Sequence, residues 1–250
     1  MKRIVVITAM AGLALVAGFS TSQAGGKFEL GPKIGMNYMT FGGDDADNRL
    51  SYFLLFYKGP DYVTGVTVGG FGRLHLNKYI ALQLELIYVQ KGSEWTYESY
   101  LMDSLITLTQ WIRLDYIEVP VLVSFQIPTG SALSPFFFGG GSVGLKTSSK
   151  HAWRNVGGGI VVNNDGVSEI LNASKTQLNF IFGGGFGFDL GANRLELIAN
   201  YSMGLSNAFK DVEDVDAGEE VGIFIANESG EAAKLKTRQI SVLAQLAFSL

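Results

Sequence analysis

Eight charged residues share one parity in segments that alternate between apolar and polar: Glu29, Lys33, Arg73, Glu85, Lys91, Glu118, Arg194 and Glu196. Acids and bases gathered on one inner face could line a conduit for ions or small solutes. They could instead neutralise one another as internal ion pairs, because a buried charge without a partner carries a large desolvation cost. The two histidines, His75 and His151, have no metal-ligand spacing to each other. His75 reads as a solvated residue beside a short turn. His151 lies near Ser148, Ser149 and Trp153, which permits a hydrolase, but a Ser/His pair close in sequence is not a catalytic pair until geometry makes it one. Acidic runs at Asp44, Asp45 and Asp47, and at Asp211, Glu213, Asp214, Asp216, Glu219 and Glu220, offer oxygens of the kind Ca²⁺ takes, yet such runs are more often simply solvated. The triple glycines at 157–159 and 183–185 lack the strand-to-helix context and following Lys of a phosphate loop. No catalytic residue, cofactor or metal site is therefore expected, and the chain reads as non-enzymatic.

The elements that position these charges are clearest in Gln177 to Leu190. Leu178, Phe180, Phe182, Phe186, Phe188 and Leu190 fall on one face, with Gln177, Asn179, Ile181, Gly183, Gly185, Gly187 and Asp189 on the other. A period of two predicts a β-strand. Three glycines on the polar face weaken a strand in water but suit the crowded interior of a narrow closed barrel, with the aromatic face turned to lipid. Strands are likewise read at Lys27 to Met39, Tyr62 to Leu74, Tyr79 to Lys91, Asp115 to Gln126, Arg194 to Met203 and Gln239 to Leu250, and at Pro135 to Lys146, where the FFFGGG run blurs the parity. Pro32 cannot donate to a ladder, so a local bulge is expected there. Upstream of Asp115 the apolar parity reverses, to Ile106, Leu108, Ile112, Leu114 and Tyr116, which predicts a second bulge between Asp115 and Ile117. The hairpin from Tyr88 to Tyr116 is expected to project beyond the membrane.

These segments make about eight strands, joined by connections that alternate long and short, as in transmembrane barrels with short periplasmic turns and longer outside loops. The fold class expected is an all-β, closed antiparallel transmembrane β-barrel. Among the long connections, Tyr52, Phe53, Leu54, Leu55, Phe56 and Tyr57 form an apolar run that could rest on lipid headgroups or contact a partner. Eight strands leave an interior just wide enough for side chains to fill, which favours the ion-pair reading of the inner charges.

The leader agrees with export. Lys2 and Arg3 precede an apolar run from Ile4 to Phe19 and small residues up to Ala24, the layout of a cleaved secretory signal peptide over 1–24, with the barrel domain over 25–250. Cysteine is absent, which excludes a disulfide framework, thiolate metal sites and lipid attachment at a cysteine. A net charge of −4 without a basic stripe excludes a nucleic-acid partner. The 32 glycines, 17 Phe and 10 Tyr against 5 Pro suit strands and aromatic girdles.

Three segments carry a family resemblance. Leu82, Gln83, Glu85, Leu86, Tyr88, Gln90, Lys91 and Gly92, then Tyr116, Glu118, Pro120 and Leu122, resemble paired strands of the PorT-like, porin-family outer-membrane β-barrel domain proteins. The stretch GGGFGFDLGANRLELIANYSMGLSN resembles that family's glycine-rich strand and the hairpin after it. The resemblance implies the bacterial outer membrane, and some members belong to secretion or gliding machinery. The expected role is structural, adhesive or partner-binding through extracellular loops, with a narrow porin-like channel as the alternative and an outer-membrane enzyme as the third reading. Expected partners are outer-membrane lipid and other envelope or extracellular proteins.

Overall fold

A strand facing hydrocarbon has no water to satisfy its backbone, so each amide must find its partner within the sheet. The computed structural model describes residues 27–43, 56–101, 104–157, 160–191, 193–210, 222–223 and 233–249, and the leader lies outside them. The strands are β1 (Phe28–Gly42), β2 (Phe56–Asp61), β3 (Val63–His75), β4 (Ile80–Leu101), β5 (Ser104–Gln126), β6 (Leu133–Gly157), β7 (Ile160–Ile170), β8 (Thr176–Leu190), β9 (Asn193–Gly204), β10 (Gly222–Ile223) and β11 (Lys236–Ser249). Eight of them close a ring of antiparallel neighbours in the order β1, β3, β4, β5, β6, β8, β9, β11, with β11 returning to β1. Closure leaves the ring no sheet edge in lipid. The remaining strands β2, β7 and β10 extend the sheet at the end opposite the short turns.

Outer and inner faces differ as the alternation requires. Along β11, Ser241, Leu243, Gln245 and Ala247 are buried inside, while Ile240, Val242 and Phe248 stand exposed outside. Ile34 at 62%, Val242 at 59% and Phe137 at 59% exposure belong to a continuous apolar belt that only a lipid solvent accommodates. The belt on β11 covers 240–248, matching the roughly 9–11 residues a tilted strand needs to cross a bilayer. The strands β4, β5 and β6 have 22, 23 and 25 residues, so about half of each rises above the belt.

In that raised part the two faces exchange character. Trp95, Tyr97, Ile112, Leu114 and Tyr116 point inward and pack with Phe41, Phe209 and Leu235 into an apolar cluster over the barrel mouth. Phe41 stacks on Trp95 at 5.8 Å between ring centroids. Outside, Trp111 donates its indole N–H to Glu94, and the Arg154 guanidinium lies 5.4 Å over the Trp111 ring. One sheet therefore has a polar interior where lipid surrounds it and an apolar interior where water does.

This exchange corrects the expectation for β5. Its even positions face inward from Ile112 to Ser124, and the β4–β5 register runs unbroken from Leu101↔Ser104 to Ile80↔Phe125. The apolar parity reverses because the surrounding solvent changes, with no change in the facing of the strand. A register shift does fall between Asp115 and Tyr116, but the extra residue, Thr147, is in the partner strand β6. The bulge expected at Pro32 is absent. Pairing to β3 is continuous through Pro32↔Gly70, and the β11 ladder skips 31–32 while keeping its register from Leu30↔Phe248 to Lys33↔Gln245. A missing amide costs ladder bonds without requiring an inserted residue. The insertion from Thr147 to Lys175 contains the top of β6 and all of β7, so the barrel has eight strands and the described sheet eleven.

Inward glycines make the narrow lumen possible. A Cβ on Gly185 would lie 2.2 Å from the Leu197 carbonyl oxygen and 3.0 Å from Phe136 Cζ, whereas at Gly141, which faces out, the nearest atom is 3.6 Å away. Gly185→Val is expected to destabilise the folded barrel by about 1–3 kcal/mol and Gly141→Val by much less. Urea titration in detergent, followed by heat-modifiable gel mobility, reads the difference.

Candidate functional site

The inner residues of the ring assemble into two polar clusters stacked along the lumen. The lower one is built on Arg73 of β3. Its guanidinium donates to both carboxylate oxygens of Glu196 at 2.7 and 2.6 Å, to Glu29 at 3.2 Å and, through Nε, to Gln83 at 2.7 Å. Gln83 passes the link to Glu85 at 2.5 Å, and Glu85 accepts from Lys33 at 2.7 Å. Arg194 Nε lies 3.1 Å from Glu196, and Gln245 donates to the same carboxylate. Gly187 leaves room for Arg194: a Cβ there would sit 2.1 Å from its Nε.

The upper cluster is built on Lys91 of β4 and Glu118 of β5, 2.6 Å apart. Lys91 also donates to Gln177 at 2.9 Å and Asn179 at 3.1 Å, and its ammonium lies 5.5 Å over the Tyr116 ring. Asn179 and Ser142 donate to Glu118 at 3.1 and 3.3 Å, and Gln177 donates to Thr237 at 3.0 Å. Together the clusters place side chains from all eight ring strands in contact. Among the eight charged residues, Lys33, Arg73, Lys91 and Arg194 balance Glu29, Glu85, Glu118 and Glu196. Each of these charges has a partner.

Several participants were not evident from charge alone. His75 is the clearest: expected in solvent, it shares the inward parity of Arg73, and its Nε2 lies 3.0 Å from Glu29. The amides Gln83, Gln177, Asn179 and Gln245 occupy inward positions in the sequence pattern, but their bridging role needs the register. An apolar patch, Leu122, Phe136, Phe138, Ile181, Ile198 and Leu243, fills the rest of the lumen and settles the parity of the Phe136–Phe138 run, with Phe137 outward.

The candidates for other chemistry are scattered. His151 and Ser149 share the inner face of β6 above the belt, but the Ser149 hydroxyl donates to the Ile170 carbonyl at 3.1 Å. Burial pushes the His151 imidazole below its ordinary range, and the residues paired with it are Ile112 and Ser168. Ser148 is paired with Asp115 on the opposite face. Among the described residues no group of three His, Asp or Glu could hold a metal ion. The acidic runs at 44–47 and 211–220 lie outside the described residues, as do Tyr52, Phe53, Leu54 and Leu55. Phe56 and Tyr57 begin β2, paired with Glu98 and Tyr97 of β4.

A family model described as outer membrane protein beta-barrel domain matches residues 15–210. The chain belongs to this family. This outer-membrane barrel is therefore a protein of the bacterial outer membrane, and its apolar belt meets lipid. A search of curated proteins gave no match. Among solved structures, the barrel is similar to Ail, the attachment invasion locus protein of Yersinia pestis, in complex with the heparin analogue sucrose octasulfate, at 14% identity over 89% of this chain and 99% of that one, with a TM-score of 0.37. It is also similar to Neisserial surface protein A, at 12% identity over 88% and 97% with a TM-score of 0.36. The outer-membrane protease OmpT of Escherichia coli matches at 8% identity over 90% and 96%, with a TM-score of 0.29. At these values none of the three carries a functional argument.

Breaking a buried pair costs more than replacing both partners, because the survivor is left charged and dry. Lys91→Met alone should lower the unfolding free energy of the barrel by about 3–5 kcal/mol, with Lys91→Met/Glu118→Leu together recovering most of the loss. A urea double-mutant cycle measures the recovery; additive losses would show that the pair is not coupled.

Proposed function

We propose that this outer-membrane barrel works through its extracellular extension, in adhesion, envelope structure or partner binding, and that its lumen is structural. The observation that carries the reading is the filled interior. Cavities of about 20 and 10 Å³ lie beside Lys33, each with space for roughly one water. Among the described residues, the paired charges and the apolar cluster above them fill the lumen around these cavities. The long strands β4, β5 and β6 meanwhile expose Glu98, Arg113, Lys150 and Arg154 outside the membrane. The apolar run Tyr52, Phe53, Leu54, Leu55, Phe56 and Tyr57 is the loop segment proposed for contact with headgroups or a partner. Export through a signal peptide over 1–24 and the narrower PorT-like kinship belong to the same reading.

A narrow channel is the second reading, favoured by one observation: Lys33 and Leu122 border both cavities, so the two voids are neighbours in the lumen. Conductance separates the two. The refolded barrel, verified by heat-modifiable mobility, is expected to be silent in a planar bilayer. Discrete steps altered by Glu118→Gln or Arg194→Gln would instead make transport the function. Replacing 96–109 with a short turn should abolish adhesion of cells displaying the protein and leave the mobility shift intact.

A further inference from the structure

The outer face of β11 changes abruptly at its extracellular end. Below, Ile240, Val242 and Phe248 meet lipid; immediately above, on the same parity, stand Arg238 and Lys236, both exposed, followed by Lys234. Same-face residues on a strand are about 7 Å apart, so neighbouring cations can close on one phosphate. Their neighbours across the ladders are uncharged: Thr40 and Met203 flank Arg238, and Gly42 flanks Lys236. Neither Arg238 nor Lys236 forms an ion pair among the described residues. The Arg238 guanidinium is held against the barrel wall, since a Cβ on Gly42 would lie 2.3 Å from its Nε and 2.4 Å from its Cζ. A glycine there gives the planar group a seat beside the strand.

We propose that Lys236 and Arg238 bind the phosphate groups of an anionic glycolipid in the outer leaflet. Position and charge both argue for a lipid headgroup. The cations sit where the apolar belt ends, at headgroup depth, and Tyr38, Met203 and Leu205 are exposed below or beside them to meet acyl chains. Basic residues at an anionic membrane surface each add attraction that falls off within a Debye length, so their placement at the belt edge matters as much as their number. Arg238 supplies the planar fork that matches phosphate, and Lys236 supplies a point charge beside it.

The test uses the refolded full barrel in phosphatidylcholine nanodiscs doped with a bisphosphorylated glycolipid, with lipid retention counted by native mass spectrometry. Wild type should retain the glycolipid on the order of 10-fold more tightly than K236Q/R238Q, while K78Q, at a turn on the opposite end, behaves as wild type. The dephosphorylated glycolipid should show no such preference. Equal retention by wild type and K236Q/R238Q, or equal retention of the two glycolipid forms, would overturn the proposal. So would tighter binding of a soluble sulfated polysaccharide at the same residues, which would assign the strip to a soluble polyanion.

Discussion

The absence of water in the bilayer core is the constraint on which the rest of this structure depends. An open edge there would leave backbone groups unpaired at several kcal/mol each, so the ring closes, and with eight strands it closes tightly. A tight ring fixes the contents of the lumen. Glycine faces the interior where Phe136 and Arg194 need room, and charges that enter must leave the interior neutral in sum. The ion pairs follow from this geometry: they tie opposite walls together through Arg73 and Lys91, which between them reach β1, β3, β4, β5, β8 and β9.

A second consequence appears where the strands leave the membrane. The backbone of β5 continues with unchanged facing, yet its apolar residues move from odd to even positions. Period-two patterns report a contrast between two environments, and the environment outside the barrel changes from lipid to water at about Asp115. Inside, the order is reversed, from Glu118 to Tyr116 and Leu114. The apolar cluster over the mouth and the polar clusters beneath it are two answers to one rule, that the face turned away from the local solvent must be satisfied without it.

That rule also explains which features were legible in the sequence. The closed barrel and the inward side of Glu29, Lys33, Arg73, Glu85, Lys91, Glu118, Arg194 and Glu196 could be read from parity, because parity is local. Their pairing could not, since Arg73 meets Glu196 across 123 positions and only the stagger of the strands brings them level. His75 was misplaced because its neighbours in sequence form a turn, while its parity continues that of Arg73 into the lumen. Pro32 invited a bulge for a sound local reason, but a ladder can skip a bond; near Asp115 a register shift is present, yet its extra residue lies in β6 and the apolar pattern of β5 changes phase with its solvent.

One continuous sheet passes between two solvents without turning its faces. The chain has no cysteine of its own, so single cysteines from Thr109 to Phe125 can carry nitroxide labels in the reconstituted barrel. Collision with oxygen, which prefers lipid, and with a water-soluble nickel chelate then maps each position. Even positions should stay protected throughout, with odd positions open to the chelate at Trp111 and Arg113 and to oxygen from Ile117 to Phe125. A change of phase in protection between Asp115 and Ile117, with even positions accessible above it, would show instead that the strand turns its faces there.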